Sequence, residues 1–175
     1  MMVLMAKSDV ERVTEEKIAQ GGVLVQLYFD MQDTNKEKLQ PLLVDLINGR
    51  LMKERGVVYC YGSIEEPIEK KGIYITSATV TMLFDSFFPL VNIAFSYSPA
   101  GIEILKPTNE MSFKMFELQA MLMDISQISI DYSKYVMEKV MSPEDLEKIK
   151  IQMDNRSEIG KRLLEKKKND EEKKG

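Results

Sequence analysis

Two spacings of hydrophobic residues alternate along residues 22–107. Every second residue of 23–31 is apolar, which is the period of a strand with one buried face. From Leu39 to Leu51 the apolar residues recur every three or four positions, as they do on a helix with one buried side. The pattern therefore predicts a first strand followed by a first core helix.

The rest of this region predicts a hairpin of two strands, one more helix and a last strand. Residues 57–64 and 73–84 are rich in β-branched and aromatic residues and enclose a polar segment, which indicates a hairpin with a long turn. A helix over 87–96 and a short strand over 102–106 follow. Each of these elements ends at a turn or proline signal.

The predicted order is strand, helix, strand, strand, helix, strand. Two right-handed βαβ units joined by a central hairpin give this order, with both helices on one face of the sheet. We therefore predict the α+β class, as a βαββαβ ferredoxin-like sandwich with a four-stranded antiparallel sheet over residues 22–107.

A long amphipathic pattern over residues 111–141 predicts an additional helix. Its polar positions form one narrow stripe and nearly all the others are apolar, so the helix has more apolar surface than one small sheet can cover. The candidate interface residues are Phe116, Leu118, Met121, Met123, Ile125, Ile128, Ile130, Tyr132 and Tyr135.

The regions outside the sheet divide into three parts. Residues 1–21 predict an N-terminal extension with a short helix, which starts at a capping box formed by Ser8 and Glu11. Residues 108–160 predict a helical extension that packs on the domain or on a partner and ends in a shorter terminal helix. Residues 161–175 are mixed in charge and predict a disordered tail.

Charge and residue types restrict the chemistry that the chain can perform. The net charge of −4 gives no bulk attraction to nucleic acid or to an anionic membrane. Histidine is absent and Cys60 is the only cysteine, so a zinc site of the usual kind cannot be built and the commonest general base is missing. We predict no catalytic residues, no metal site and no cofactor, a thiol at Cys60 that is structural, and no transmembrane segment in a cytoplasmic protein.

Three tyrosines fall on the face of the predicted sheet opposite the core helices. If the odd positions of the first strand are buried, Tyr28 points away from the core, and Tyr59 and Tyr61 join it. Exposed aromatic side chains on such a sheet can stack on the bases of single-stranded RNA. No basic groove accompanies them, so we favour a face covered by a helix or a second subunit and expect no tight binding of nucleic acid.

A second alternative places a small ligand in the loops. The loops at Glu65, Asp85 and Ser98–Gly101 would form the site of a ligand-binding regulator or a small enzyme. None of them has the glycine spacing of a phosphate-binding loop, and the glutamates near residue 65 are typical of a solvated turn.

The segments GVVYCYGSIEEPIEKKGIY, LFDSFFPLVNIAF, SPAGIEILKP and LQAMLMDISQ carry a family resemblance. They lie within the stretch from Gly56 to Tyr135, and this stretch resembles a conserved, uncharacterised family of archaeal proteins with a ferredoxin-like α/β domain. The resemblance implies a cytoplasmic archaeal protein and brings no catalytic motif.

The leading hypothesis is a non-enzymatic binding or assembly protein. It would work as a homodimer or higher oligomer, with the long helix or the open sheet face as the interface, and could also bind another protein. The apolar excess of the long helix motivates this hypothesis, because an uncovered surface of that kind would promote aggregation.

Overall fold

The computed structural model describes residues 8–172, so residues 1–7 of the predicted extension and residues 173–175 of the predicted tail lie outside the described part. The described chain has five α-helices and five strands. They are α1 (Asp9–Ala19), β1 (Val23–Asp33), α2 (Lys36–Val44), β2 (Val57–Ile64), β3 (Ile68–Lys70), β4 (Ile73–Phe84), α3 (Phe88–Tyr97), β5 (Gly101–Lys106), α4 (Met115–Val140) and α5 (Pro143–Glu172). The predicted α+β class is confirmed.

The chain divides into two compact units. The first ends at Met115 and contains the sheet, and we call it the sheet unit. The second begins at Phe116 and consists of the long helices α4 and α5, and we call it the helical unit. The division falls later in the chain than the predicted boundary at residue 107.

All strand pairs of the sheet are antiparallel, and four of the strands follow the order β2-β4-β1-β5. The short strand β3 pairs with the start of β4, beyond the end of β2. The sequence predicts a turn at β3 and four strands in all, because the polar segment 65–72 has no alternating hydrophobic pattern. Backbone pairing along the free edge of β4 creates the fifth strand without such a pattern.

The core lies between one face of the sheet and helices α2 and α3. Val23, Val25 and Leu27 of β1 are fully buried there, as the alternation of the first strand predicts. They share one hydrophobic cluster with residues of β4 and both helices, among them Val80, Leu43 and Ile93. Burial of this apolar area is the main stabilising term for the sheet unit.

The helix after β1 changes its winding partway along. Its buried residues are Leu39, Leu43, Ile47 and Leu51, which are four positions apart. On a regular α-helix, with 3.6 residues per turn, each step of four rotates the side chain by about 40° away from the sheet. A π-helical segment over Asp45–Arg50, which has wider turns, follows α2 and keeps these residues directed at the core.

Helix α1 lies on the opposite face of the sheet from α2 and α3. The predicted capping box is confirmed, because the Ser8 hydroxyl accepts from the Glu11 amide and the Glu11 carboxylate accepts from the Ser8 amide. The hydroxyl of Thr14 bonds to Tyr59, whose side chain stands on the face away from the core. The described part of the predicted N-terminal extension, residues 8–21, is therefore part of the fold.

The C-terminal helices also differ from the sequence prediction. Helix α5 has 30 residues and α4 has 26, so the terminal helix is the longer of the two. Residues 161–172, where a disordered tail is predicted, continue α5. Pairs of opposite charge spaced along the helix, such as Glu158 and Arg162, favour the helical form of a sequence with few apolar residues. Within residues 8–172, no helix combines the length and the apolar character needed to cross a membrane.

Candidate functional site

The apolar rows of α4 form the first candidate surface, which we call the α4 surface. None of the side chains of α4 is buried. Of the predicted interface residues, Phe116, Met123, Tyr132 and Tyr135 are exposed, and Leu118, Met121, Ile125, Ile128 and Ile130 are half-buried. Leu122, Val136 and Val140, which the sequence analysis does not single out, are also exposed.

Two ion pairs join α4 to α5 and fix the direction of the two helices. Lys134 bonds to Asp154 at 2.7 Å, and Lys150 to Glu138 at 2.5 Å. The hydrogen bond to Asp154 raises the pKa of Lys134, and the hydrogen bond from Lys150 lowers the pKa of Glu138. Lys134 comes before Glu138 on α4, whereas its partner Asp154 comes after Lys150 on α5. The two helices therefore run antiparallel.

A cavity of about 540 Å³ lies between α4 and α5. Met123 and Ile130 of α4 and Met153 and Leu164 of α5 form its apolar lining. A Cβ added at Gly160, also in the lining, would meet no atom within 4 Å. The two helices therefore leave between them apolar space that their own side chains do not fill.

The three tyrosines of the open sheet face have different surroundings. Tyr59 is half-buried and shares a hydrogen bond of 2.9 Å with Thr14 of α1. Tyr61 stacks on Tyr59 with ring centroids 5.9 Å apart and is 57% exposed. Tyr28 lies two strands away on β1 and is 37% exposed. In one copy of the chain, α1 covers only Tyr59.

The charges around Tyr28 are unfavourable for a phosphate backbone. Its hydroxyl donates to Glu103 at 3.1 Å and to Gln26 at 3.2 Å, and the bond to Glu103 raises the pKa of Tyr28. Asp30 lies on the same face, two positions along β1. Carboxylates beside an aromatic side chain repel the phosphates that accompany a stacked base.

The structure does not bring the three predicted ligand loops together. Glu65 follows β2 at one end of the sheet, and Asp85 follows β4 at the other end, where its amide bonds to Gly56. Ser98–Gly101 precedes β5, at the edge opposite β2. These residues line neither the cavity between α4 and α5 nor the cavity beside β2.

Cys60 lies on β2 with its thiol directed at the core. It is buried, and burial raises the pKa of the thiol to about 11. At neutral pH the thiol therefore keeps its proton, and a protonated thiol is a poor nucleophile. The arrangement agrees with a structural role.

A second cavity, of about 390 Å³, lies beside β2, and we call it the β2 groove. Val44 and Met52, from the helical segment after β1, line it together with Ile47. From the strand, Gly62 and Ile64 line it. The sequence pattern does not predict this site. The signal that could reveal it is the lack of any charged residue in β2, a strand at the edge of the sheet.

Two polar contacts that the sequence pattern does not predict hold α1 and α3 in place within the sheet unit. The hydroxyl of Tyr97 on α3 donates to the carboxylate of Glu54, which follows the helical segment after β1. Burial and this bond raise the pKa of Tyr97 to about 12. Thr14 makes the corresponding contact for α1. Both pairs are far apart in sequence, so no local pattern indicates them.

Taken by its architecture, the chain is an α+β protein with an antiparallel sheet and an antiparallel pair of long helices. It belongs to the MJ0538 family, whose model matches residues 24–162. The matched range contains the whole stretch from Gly56 to Tyr135 that carries the sequence resemblance. No curated protein and no solved structure matches the chain.

Proposed function

We propose that the protein is a non-enzymatic assembly or binding protein that works as a homo-oligomer through its helical unit. The observation that carries this proposal is the α4 surface, a long helix with apolar residues on several sides and no buried side chain. Monomeric proteins rarely leave so much contiguous apolar surface in water. A second copy of the same surface is the simplest cover for it.

The space between the helices supports the same proposal. Antiparallel helix pairs with an apolar seam often complete a four-helix bundle, and this can occur by association of two copies. The cavity lined by Met123 and Met153 offers space for the side chains of another helix. Methionine side chains adapt readily to such a partner.

The topology of the sheet unit is a further part of the proposal. We assign the sheet unit to the ferredoxin-like class, supported by the strand order β2-β4-β1-β5 and by the helices α2 and α3 in the two crossover connections. An archaeal source and a cytoplasmic location follow from the sequence resemblance and stand as proposals with it.

Sedimentation velocity of the full chain tests the proposed assembly. We expect self-association at micromolar concentration, and we expect Leu122→Glu to raise the dissociation constant by about tenfold or more, since a charge at a central apolar contact costs at least about 1.4 kcal/mol. Leu122 is 64% exposed in a single copy, so the substitution leaves the chain folded.

Ala120→Glu is the matched control, because it adds the same charge to the polar stripe of the same helix. This variant should associate like the unmodified chain. A strictly monomeric unmodified chain at 100 μM would contradict the proposal, and so would equal weakening by both substitutions.

One observation favours a second function, in RNA association. Tyr61 is exposed and stacked on Tyr59, which is a geometry suited to stacking on a base. The neighbouring carboxylates and the net charge of −4 oppose it. A salt-titrated binding assay with single-stranded RNA tests it, and we expect no submicromolar affinity that is lost in Tyr61→Ala.

A further inference from the structure

The two edges of the sheet differ in their protection against further pairing. The edge strand β5 carries Glu103 and Lys106 and is followed by Pro107. Charges and prolines of this kind prevent an edge from recruiting another strand. The edge strand β2 is longer, and it has neither a charged residue nor a proline. Its edge is therefore the one open to another strand.

The hydrogen bonds of β2 to β4 show which backbone groups are free. The Glu65 amide donates to the Ser77 carbonyl at 2.9 Å, and the register continues without a shift back to Tyr59. In an antiparallel pair the amides of one strand alternate in direction, so those of Cys60, Gly62 and Ile64 point away from β4. An incoming strand would find three outward amides and carbonyls in a row.

The β2 groove lies directly beside these groups. Strand addition needs backbone partners for affinity and an adjacent pocket for every second side chain of the added strand. Val44 and Met52 are each 46% exposed at the groove, so apolar surface is available to the added strand. A β2 strand from a second copy would place Ile64 of the partner subunit on this same side.

The charges that flank β2 identify the occupant. Lys53 and Arg55 precede the strand, and Glu65 and Glu66 follow it. All four side chains are exposed, and none has an ion-pair partner among the described residues. When two such strands pair antiparallel, the basic end of one copy meets the acidic end of the other. The strand is thus complementary to itself.

We propose that β2 of one copy pairs antiparallel with β2 of a second copy, so that the two sheets become continuous across a two-fold axis. This inference has self-association in common with the proposed function and nothing else. It adds a contact in the sheet unit that is separate from the α4 surface.

A charge-reversal cycle on the full chain tests the pairing. Arg55→Glu places two acidic ends together, and we expect the dissociation constant of the contact to rise about fivefold or more in low salt. Glu65→Arg alone should act in the same direction. The double variant, with both reversals, should recover the original affinity.

Recovery cannot come from a contact within one chain. The strand of eight residues holds the two positions more than about 20 Å apart. Lys106→Glu, the same kind of reversal at the other edge, is the matched control and should leave association unchanged. Failure of the double variant to recover overturns the proposed pairing.

Hydrogen exchange gives a measurement without any substitution. The amides of Cys60, Gly62 and Ile64 should gain protection as the chain concentration rises through the dissociation constant. Protection of these amides at concentrations where the chain is monomeric would show that the edge is already covered within one copy, and would overturn the proposal.

The α4 and β2 contacts are separated by combining the variants. In the Leu122→Glu background the edge contact should remain and should still respond to Arg55→Glu. If Leu122→Glu alone abolishes all association, the edge proposal fails and the proposed helical assembly stands. If only the charge-reversal variants weaken association, the edge proposal stands and the proposed helical assembly fails. A chain that is monomeric under all conditions overturns both proposals.

Discussion

The sheet unit and the helical unit use similar side chains in opposite ways. Leu27 in β1 has no exposed surface, whereas Leu122 in α4 is 64% exposed. In the sheet unit two layers enclose a core, and α1 adds a small second contact on the other face. Within the helical unit α4 and α5 pack on each other, and a pair of helices cannot cover more than one side of each. Apolar residues therefore form a core in one unit and stay largely exposed in the other.

The largest expected difference between the units comes from the same truncation in each. Leu27→Ala should lower the free energy of unfolding by about 2–5 kcal/mol, because it leaves a cavity in a packed core. Leu122→Ala should change it by less than about 0.5 kcal/mol at a dilution where the chain is monomeric. Urea unfolding followed by circular dichroism measures both. Equal losses would show that α4 is packed as tightly as the sheet.

Glycine substitutions should move the two units in opposite directions. A Cβ at Gly22 would lie 2.6 Å from the Phe84 carbonyl oxygen and 2.7 Å from that of Lys17, so Gly22→Ala should destabilise the sheet unit by about 1–3 kcal/mol. Gly160→Ala should stabilise α5 by up to about 1 kcal/mol, because a Cβ there meets nothing and alanine favours helix. Thermal melting of each variant checks the signs. A stabilising Gly22→Ala would mean that α1 does not pack as described.

The contact between Tyr97 and Glu54 tests how α3 is held in the sheet unit. Tyr97→Phe should lower the free energy of unfolding by about 1–2 kcal/mol, because the half-buried carboxylate loses its donor. Tyr74→Phe removes a hydroxyl from another half-buried tyrosine, one without a hydrogen-bond partner among the described residues, and should cost less. Urea unfolding at neutral pH compares them, and equal costs would remove the assigned role of the bond.

A further expected effect is a pH dependence that belongs to the sheet unit. The pKa of the Cys60 thiol is raised by burial from 9.0 to about 11. Between these values the unfolded chain releases the thiol proton and the folded chain retains it, so stability falls as pH rises through this interval. Cys60→Ala should lose that part of the slope when unfolding midpoints at pH 8 and pH 10.5 are compared. An unchanged slope would contradict a buried thiol.

The elements that follow from local periodicity were predictable from the sequence. The alternation of 23–31 gives β1 and its buried face, and the capping box at Ser8 gives the start of α1. The third strand, Ile68–Lys70, was not predictable, since its pairing with β4 supplies what its own residues do not. The only sign of the π-helical segment in the sequence is the four-residue spacing of the apolar residues that it buries, and a regular α-helix pattern contains the same spacing.

The candidate sites were predictable only where they depend on a single element. The apolar rows of α4 appear directly in the sequence, and its exposure in one copy agrees with a contact surface. The β2 groove depends on Met52 meeting a strand edge, and the cover of Tyr59 depends on Thr14 being 45 residues away in the chain. Long-range contacts of this kind leave no local pattern.

The unequal edges of the sheet also determine how far an assembly can grow. When two copies pair through β2, each of the two remaining ends of the continuous sheet is a β5 strand, and β5 is closed by Glu103, Lys106 and a shift of register at Leu24 and Val25. In the proposed pairing, growth along the sheet therefore stops after one addition. A chain in which both edge strands resembled β2 would have no closed edge and would polymerise along the sheet.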